Sequence, residues 1–312
     1  MLRCAAAVCA MLFFLDCEPG KSLRIGTNIW PGYAPLYLAR DRKGWEPGNI
    51  RLVEYPSATE VLRAFQGGAL ECASLTLDEA LMVRESGIPF SVILIHDISQ
   101  GADAIVARPL IADVKGLRGK RIGVEASALG AFVLTRALEK NKMTSADITI
   151  VPIRINEHEE AFSEGRVDAV VTFEPQRSRL LKAGAHEIFS SREIPGEILD
   201  VLIARRDAIE EHSDDLQNVV DGWFEVNRHI QHDASLLSRV ANQLKLTPEE
   251  TRQAYAGIHI PDRSENIREL AGPLEEHAAR LGKIMAQKEL LRKAPDTRGI
   301  ADDSFVKRAP EK

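Results

Sequence analysis

Seven acidic residues stand near predicted strand ends in this sequence, where a small molecule could reach their carboxylates. They are Asp78, Glu79, Asp97, Asp103, Glu125, Glu174 and Asp200. Because a carboxylate attracts a positively charged nitrogen, this placement predicts a ligand with a cationic or amino group, either zwitterionic or an amino-heterocycle. A nitrate or a simple sulfonate would instead need fixed cations or helix N-termini.

Four segments are predicted to line the binding site, because each follows a predicted strand or begins a predicted helix. In the first, Asn28 can donate and accept hydrogen bonds, while Trp30 and Tyr33 offer flat apolar walls. The Pro31-Gly32 turn between the aromatic residues favours their exposure. The alternative is that both rings only pack beneath Pro31.

The second and third segments combine possible ligand contacts with ordinary helix capping. Ser57 and Thr59 stand at a predicted helix start, where free backbone N–H groups favour an anion. Thr76 and Asp78 follow a predicted strand, and Asp78 could bind an amine. N-capping alone explains these four residues equally well.

The fourth segment lies in the second half of the chain. Glu125 follows a predicted strand and Ser127 opens the next helix, while Glu174 follows a later strand that ends near Thr172. The alternative for each carboxylate is a solvated or capping acid. None of the four segments contains Arg or Lys, which agrees with a cationic ligand.

Motifs for catalysis and metal binding are weak. The run Glu157–Glu160, which contains His158, could suggest a metal, but an exposed charged helix face is the favoured interpretation. His229 and His232 lack a third ligand and are expected on the surface, and Cys72 is expected as a small apolar residue in a strand. There is no Gly-x-Ser-x-Gly motif. We therefore expect no catalytic residue, no metal and no cofactor.

Composition excludes several classes of protein. The 312 residues include 40 Lys and Arg against 46 Asp and Glu, for a net charge of −6, and only 5% are aromatic. Such a chain lacks the basic excess and the stacking surface that nucleic-acid binding needs. Its length corresponds to about two domains.

The N-terminus has the pattern of a signal peptide. A short basic start, Met1–Arg3, precedes the uncharged apolar run Cys4–Leu15, which is too short to span a membrane. Residues 1–17 are predicted to be the signal segment. Phe14–Cys17 resembles a bacterial lipoprotein signal, although Asp16 replaces the small residue expected there, so lipidation at Cys17 and ordinary cleavage both stay open. Three of the four cysteines lie in this segment, which excludes a disulfide framework.

An internal repeat organises the rest of the chain. Residues 24–26 (Arg-Ile-Gly) recur at 121–123, and residues 64–71 resemble 161–168 at the same offset of ninety-seven. Each half alternates predicted strands and helices, which indicates parallel sheets covered by helices. The chain is expected to leave the first α/β lobe near residue 103 and return near 204, followed by a helical tail. This predicts lobe one at 18–103 plus 204–312 and lobe two at 104–203, with a ligand cleft at the hinge.

Five stretches carry a resemblance to a known family. The substrate-binding proteins of ABC importers of the nitrate/sulfonate/taurine type, and the related binders of thiamine-pyrimidine precursors, are similar to this chain over most of residues 23 to 204. The matching stretches are 27–33 with 36–40, 62–65, 75–79, 117–124 and 165–175.

The resemblance implies a type II periplasmic-binding-protein fold, in which two α/β lobes close on a small molecule and C-terminal helices pack on lobe one. It also implies delivery to a permease in the cytoplasmic membrane, a periplasmic or extracytoplasmic location and a monomer. Glu174 stands where the family often contacts its ligand, and Phe305 resembles a residue that packs back on the body. Two alternatives stay open: an enzyme on the same fold, similar to pyrimidine-precursor synthases or chorismate-processing enzymes, and an exported ligand sensor.

Overall fold

The structure is a computed structural model that describes residues 22–40, 45, 48–125, 128–230 and 232–308. The predicted signal segment with Cys17, and the predicted site residue Ser127, lie outside the described residues. Within the described part of the chain, no helix is both long and apolar enough to cross a membrane.

The strands are, in chain order, β1 (Leu23–Thr27), β2 (Ile50–Glu54), β3 (Cys72–Thr76), β4 (Phe90–Ser99), β5 (Asp103–Ala107), β6 (Arg121–Val124), β7 (Thr149–Pro152), β8 (Ala169–Phe173), β9 (His186–Ser190), β10 (Leu199–Arg205) and β11 (Ile258–His259). The strands predicted in the two repeats are all present, with ends shifted by at most about two residues, as is usual for sequence-based bounds.

The helices are α1 (Ala34–Ala39), α2 (Ala58–Gln66), α3 (Leu77–Glu85), α4 (Ala128–Lys140), α5 (His158–Ser163), α6 (Gln176–Lys182), α7 (Arg206–Glu211), α8 (Ser213–Ile230), α9 (Ala234–Leu244), α10 (Pro248–Tyr255), α11 (Arg263–Leu270), α12 (Pro273–Gln287) and α13 (Ser304–Lys307). Short 3₁₀ turns, such as Pro31–Tyr33, join several of these elements.

Two mixed sheets form the core of two lobes. The sheet of lobe one has the order β11-β4-β10-β3-β1-β2, and the sheet of lobe two has the order β7-β6-β8-β5-β9. In each, three consecutive strands are parallel and the next strand, β10 or β5, is antiparallel to them. The predicted parallel pairing therefore holds for three strands in each sheet, whereas β10 and β5 depart from it. β5 and β10 are the strands with which the chain enters a lobe after crossing from the other one. Each of them runs antiparallel to its neighbour in the parallel part of the sheet, which is β8 or β3.

The chain crosses between the sheets twice, between β4 and β5 and between β9 and β10. Sequence reasoning placed the return near residue 204, whereas β10 begins at Leu199 and already belongs to the sheet of lobe one. The apolar run of β10 predicts a strand but carries no information about which sheet it joins. The two crossings are tied together by serines: Ser99 Oγ lies 2.8 Å from Ser191 Oγ.

The repeat is realised as two copies of one β-α-β plan. Gly26 and Gly123 occupy the same place in β1 and β6, and a Cβ there would lie 2.3 Å from Leu70 Cδ1 or 2.4 Å from Ile153 Cδ1. Each glycine therefore allows close packing of a neighbouring side chain against the strand. In the tail, α8 packs against α1, and Phe305 is fully buried as expected from the family pattern.

Candidate functional site

A narrow cavity lies between the lobes, at the carboxyl ends of the parallel strands. Its lining combines three aromatic rings, three acids, two neutral polar side chains and two aliphatic ones. These residues are Asn28, Trp30, Tyr33, Ala58, Thr76, Glu79, Asp103, Leu129, Phe173 and Asp200. The described lining includes no lysine or arginine. A cleft whose walls are mainly apolar, with a few polar groups among them, has the kind of lining that small-molecule sites use.

The aromatic wall of lobe one is fixed by hydrogen bonds to buried groups. Trp30 Nε1 donates to Asp97 Oδ2 at 2.9 Å, and the Tyr33 hydroxyl donates to Asp200. Gly32 lies between the two aromatic residues, and a Cβ there would stand 1.7 Å from Asp97 Oδ2. Only glycine therefore lets this turn pack on Asp97.

The aromatic wall continues across the cleft. The ring of Trp30 meets that of Phe173 edge to face, with centroids 5.8 Å apart. Trp30 belongs to lobe one and Phe173 ends β8 of lobe two, so the two lobes are in contact through the walls of the cavity.

All seven acids singled out in the sequence are buried. Five of them carry a buried carboxylate oxygen that has no hydrogen-bond partner among the described residues: Asp78 Oδ2, Glu79 Oε1, Asp97 Oδ1, Asp103 Oδ2 and Glu125 Oε2. Buried charged groups are normally paired, because an unpaired one is costly. Unpartnered acceptors at an enclosed cavity indicate that a donor, in particular a cationic one, would complete the site.

The surroundings of Asp78, Glu79, Asp103 and Asp200 raise the pKa values of these carboxyls. Burial is the main cause for Asp103, whose pKa rises to about 7, and the charges of Asp78 and Glu174 add to it. Burial also raises the pKa of Asp200 well above its usual range, with further contributions from Asp97 and Asp103. For Asp78 and Glu79 burial again raises the pKa of each carboxyl. The cluster thus holds protons at neutral pH that a bound cation would displace.

Glu125 lies beside the cavity and contacts the opposite lobe. It follows β6 in lobe two, and its Oε1 accepts a hydrogen bond of 2.9 Å from the Thr59 hydroxyl in the first turn of α2. Burial raises the pKa of Glu125, while the Thr59 hydroxyl, the Ser57 hydroxyl and the Thr59 backbone N–H act in the opposite direction. The N-terminus of α2, predicted to attract an anion, is therefore occupied by a carboxylate of the protein itself.

Glu174 is paired inside lobe two. Its Oε1 accepts a 3.0 Å hydrogen bond from Arg177, which also contacts Glu187, and its Oε2 accepts from the backbone N–H of Ser178. Arg177 is a half-buried cation that the sequence analysis missed. The signal that could have found it is its position three residues after Glu174 at the start of a helix.

The predicted site residues thus fall into two groups. The structure brings Asn28, Trp30, Tyr33 and Thr76 together in the cavity lining. The others stand beside it: Ser57 caps α2, Asp78 is buried in the first turn of α3, and Thr59, Glu125 and Glu174 have the partners given above. Three further lining residues, Glu79, Asp103 and Asp200, are among the seven acids that the sequence analysis placed near strand ends. The lining also includes Ala58, Leu129 and Phe173, which were not among the predicted site residues.

Histidines and the thiol lie outside the cavity lining. His158 is fully buried against β8, with Nδ1 3.2 Å from Thr172 Oγ1, and burial lowers its pKa to about 4. The interpretation of His158 as part of an exposed charged face is therefore wrong, because it begins α5 on the side that packs against the sheet. Cys72 is buried in β3, where burial raises the pKa of its thiol well above the usual range. Among the described residues, no group of three or more His, Cys, Asp or Glu is arranged to hold a metal ion.

Comparison with known proteins identifies clear relatives. The chain matches the NMT1-like family over residues 16–244. It is 26% identical over 317 residues to a Bacillus subtilis (strain 168) protein named for aliphatic sulfonate binding, a match that covers 93% of this chain and 89% of that protein.

Solved structures share the fold. The alkanesulfonate-binding protein SsuA from Xanthomonas axonopodis pv. citri, bound to MOPS, matches with a TM-score of 0.75 at 19% identity, over 91% of this chain and 99% of that one. The desulfurization enzyme DSZB matches with a TM-score of 0.65 at 16% identity, over 92% and 97%. The type II periplasmic-binding fold expected from the sequence is confirmed, and the fold alone accommodates both binding proteins and an enzyme.

Proposed function

Because the chain belongs to the NMT1-like family, we propose that it is the solute-binding component of an ABC importer. The two lobes close on a small organic molecule, and the closed protein delivers it to a permease in the cytoplasmic membrane. The relative named for sulfonate binding and the cavity between the lobes support this function. Export by the segment 1–17, with either lipidation at Cys17 or ordinary cleavage nearby, and a monomeric state belong to the same proposal.

The ligand carries a cationic nitrogen. The observation that carries this step is the cavity lining, where Glu79 and Asp103 are 1% and 2% exposed and each keeps one oxygen without a partner among the described residues. An ammonium or a protonated amine would supply both the donors and the charge that these oxygens lack. Once these carboxyls are deprotonated, a simple anion would be repelled by the same oxygens.

The names of the relatives and this lining agree for one kind of molecule, an aminoalkanesulfonate. Its ammonium would stand among the acids, and its sulfonate would reach the neutral donors of the lining, the Asn28 amide and the Thr76 hydroxyl. The Thr76 hydroxyl is buried without a partner among the described residues. MOPS, which the related Xanthomonas protein binds, likewise joins a sulfonate to an amine nitrogen.

Native mass spectrometry of protein purified without refolding tests the binding function. We expect a co-purified small molecule that contains nitrogen, and a mature chain that carries it as a monomer. Calorimetry then compares 2-aminoethanesulfonate with ethanesulfonate, which lacks only the amino group. If only ethanesulfonate binds tightly, the proposal that the ligand carries a cationic nitrogen is wrong.

A second experiment separates import from sensing. The purified protein with its ligand is added to a membrane-reconstituted permease and ATPase encoded beside it. We expect ligand-dependent stimulation of ATP hydrolysis. Stimulation of a neighbouring sensor kinase, with no effect on an importer, would instead identify an exported ligand sensor.

A further inference from the structure

The contact between Glu125 and α2 joins the two lobes at the edge of the cavity. Glu125 is 4% exposed, and its hydrogen bond from Thr59 crosses from lobe two to lobe one. Close by, Arg154 of lobe two lies 3.8 Å from Glu60 of lobe one. The Arg154–Glu60 pair is more exposed, so the Glu125 contact is the buried part of this junction.

The position that Glu125 occupies is one that an anionic ligand group would otherwise use. The first turn of a helix offers unpaired N–H groups and a partial positive charge. Ala58, the first residue of α2, lines the cavity, so this helix start faces the ligand space. While the lobes are in contact, the Glu125 carboxylate lies at this turn and accepts the hydrogen bond of the Thr59 hydroxyl.

The first oxygen of Glu125 excludes an anionic ligand group from the start of α2, whereas its second oxygen favours a cationic one. Glu125 Oε2 is buried without a partner among the described residues, and so is Glu79 Oε1 on the facing lobe. The charge of Glu125 contributes to the raised pKa of Glu79, after burial and the charge of Asp78, so the two carboxylates interact across the cleft. Bringing the lobes together therefore buries two acids that lack a counter-charge, unless a cation enters with them.

We propose that Glu125 is the specificity-determining residue of the cleft: on closure it fills the anion site at the N-terminus of α2 and, with Glu79, leaves a place that only a cation completes. The inference rests on the proposed binding function and explains how a sulfonate-type fold selects an amine. The repeat supports it, because the equivalent position in lobe one is the neutral Asn28. The shared scaffold thus does not require an acid at this position.

The test uses Glu125→Ala and Glu125→Gln with two probes, ethanesulfonate and 2-aminoethanesulfonate, in calorimetry at pH 8. Removing the carboxylate in Glu125→Ala frees the start of α2, and we expect ethanesulfonate to bind about tenfold more tightly than it binds the native protein. The preference for 2-aminoethanesulfonate should fall by about tenfold or more in both variants, because the facing charge is lost.

The two variants separate the two effects of Glu125. Gln keeps an oxygen that can accept from Thr59, so Glu125→Gln should lose the cation preference with little gain for ethanesulfonate. Glu211→Gln is the control, since it removes an exposed acid on α7 outside both the cavity lining and the junction between the lobes, and both affinities should stay unchanged. Circular dichroism checks that each variant folds, and Glu125→Gln carries the test if Glu125→Ala does not.

Two results would overturn the inference: unchanged ethanesulfonate binding by folded Glu125→Ala, or an unchanged preference in Glu125→Gln. The same experiment distinguishes a wrong ligand class from a wrong role for Glu125. If the native protein binds neither probe, the ligand class is wrong, whereas a gain of ethanesulfonate binding in Glu125→Ala would still establish what Glu125 occupies.

Discussion

The two halves of the molecule are alike at the amino ends of their parallel strands and differ at the carboxyl ends. At the edge away from the cavity, Arg24 pairs with Glu71 at 2.6 Å in lobe one, and Arg121 pairs with Asp168 at 3.0 Å in lobe two. The partners stand at equivalent positions of the repeat. Each pair ties the start of the first strand of its half to the residues that lead into the third, so it belongs to the scaffold.

At the opposite edge, equivalent positions have diverged. Asn28 corresponds to Glu125. Helix α2 has a Ser57 cap and its first residue, Ala58, lines the cavity, whereas α5 follows a 3₁₀ turn and has no side-chain cap. The duplication therefore retained the packing of each half, while the strand ends acquired separate roles: lobe one offers a helix start, and lobe two supplies the carboxylate that fills it.

The largest expected effect comes from Trp30→Ala, which removes the wall of lobe one. Trp30 is buried, holds Asp97 and contacts Phe173, so its loss should cost about 3–5 kcal/mol of folding free energy and leave Asp97 with fewer partners. Ligand affinity should fall by about a hundredfold. Phe173→Ala, at a half-buried position, should cost less in both measurements, made by thermal unfolding and calorimetry. Equal losses of stability and affinity in the two variants would show that Trp30 contributes no more to the cavity wall than Phe173 does.

Glu79→Gln should come next, because it removes one of the two facing charges. Glu79 Oε2 accepts from the Thr76 backbone N–H at the start of α3, and Gln retains an acceptor there. We expect affinity for 2-aminoethanesulfonate to fall about tenfold and ligand-free stability at pH 8.5 to rise by about 1 kcal/mol. The exposed Glu211→Gln on α7 is the control. Lower stability of Glu79→Gln at that pH would show that Glu79 is not an uncompensated charge.

A pH series should give a smaller, graded effect. The raised pKa values of the buried acids, about 7 for Asp103, mean that the folded protein binds more protons than the unfolded chain above pH 4. This contribution to stability is complete below about pH 4 and is lost as the pH rises through the folded pKa. Burial lowers the pKa of His96 to about 3 and that of His158 to about 4, so these histidines act in the opposite direction below about pH 6.5. The Tm of ligand-free protein should therefore fall between about pH 7 and pH 8.5, where the histidines no longer contribute.

The same series predicts the opposite trend for binding. A cation binds the deprotonated carboxylates, so its affinity should increase from pH 6 to pH 8.5, with protons released on binding. Calorimetry in buffers of different ionisation enthalpy measures that release. Proton uptake, or tighter binding at low pH, would indicate an anion held by protonated carboxyls.

The smallest effects are expected from the scaffold ion pairs. Arg24→Met should lower the Tm slightly more than Arg121→Met, because the Arg24 pair is shorter and less exposed. Affinity should stay within about twofold in both variants, since the pairs lie far from the cavity. A large loss of binding in only one variant would show that the ion pair of that lobe influences the cavity at the other end of the strands.

The repeat, the helices and strands, and the acids of the cleft could be predicted from the sequence, because each is encoded in a pattern of nearby residues or in a constant offset. Constant offset revealed the two halves, and strand periodicity located the ends at which Asn28 and Glu79 stand. Sequence reasoning did not find the reversal of β5 and β10, because pairing direction depends on how the chain crosses between lobes. It also could not see that Glu125 meets Thr59, since that contact joins residues 66 positions apart on different lobes.

A crystal structure of the protein with its co-purified ligand tests the central claim most directly. We predict a cationic nitrogen within about 3.2 Å of a carboxylate oxygen of Glu79 or Asp103, with Glu125 still bound to Thr59. A sulfonate or another anion seated on the first turn of α2, with Glu125 displaced from it, would contradict the account.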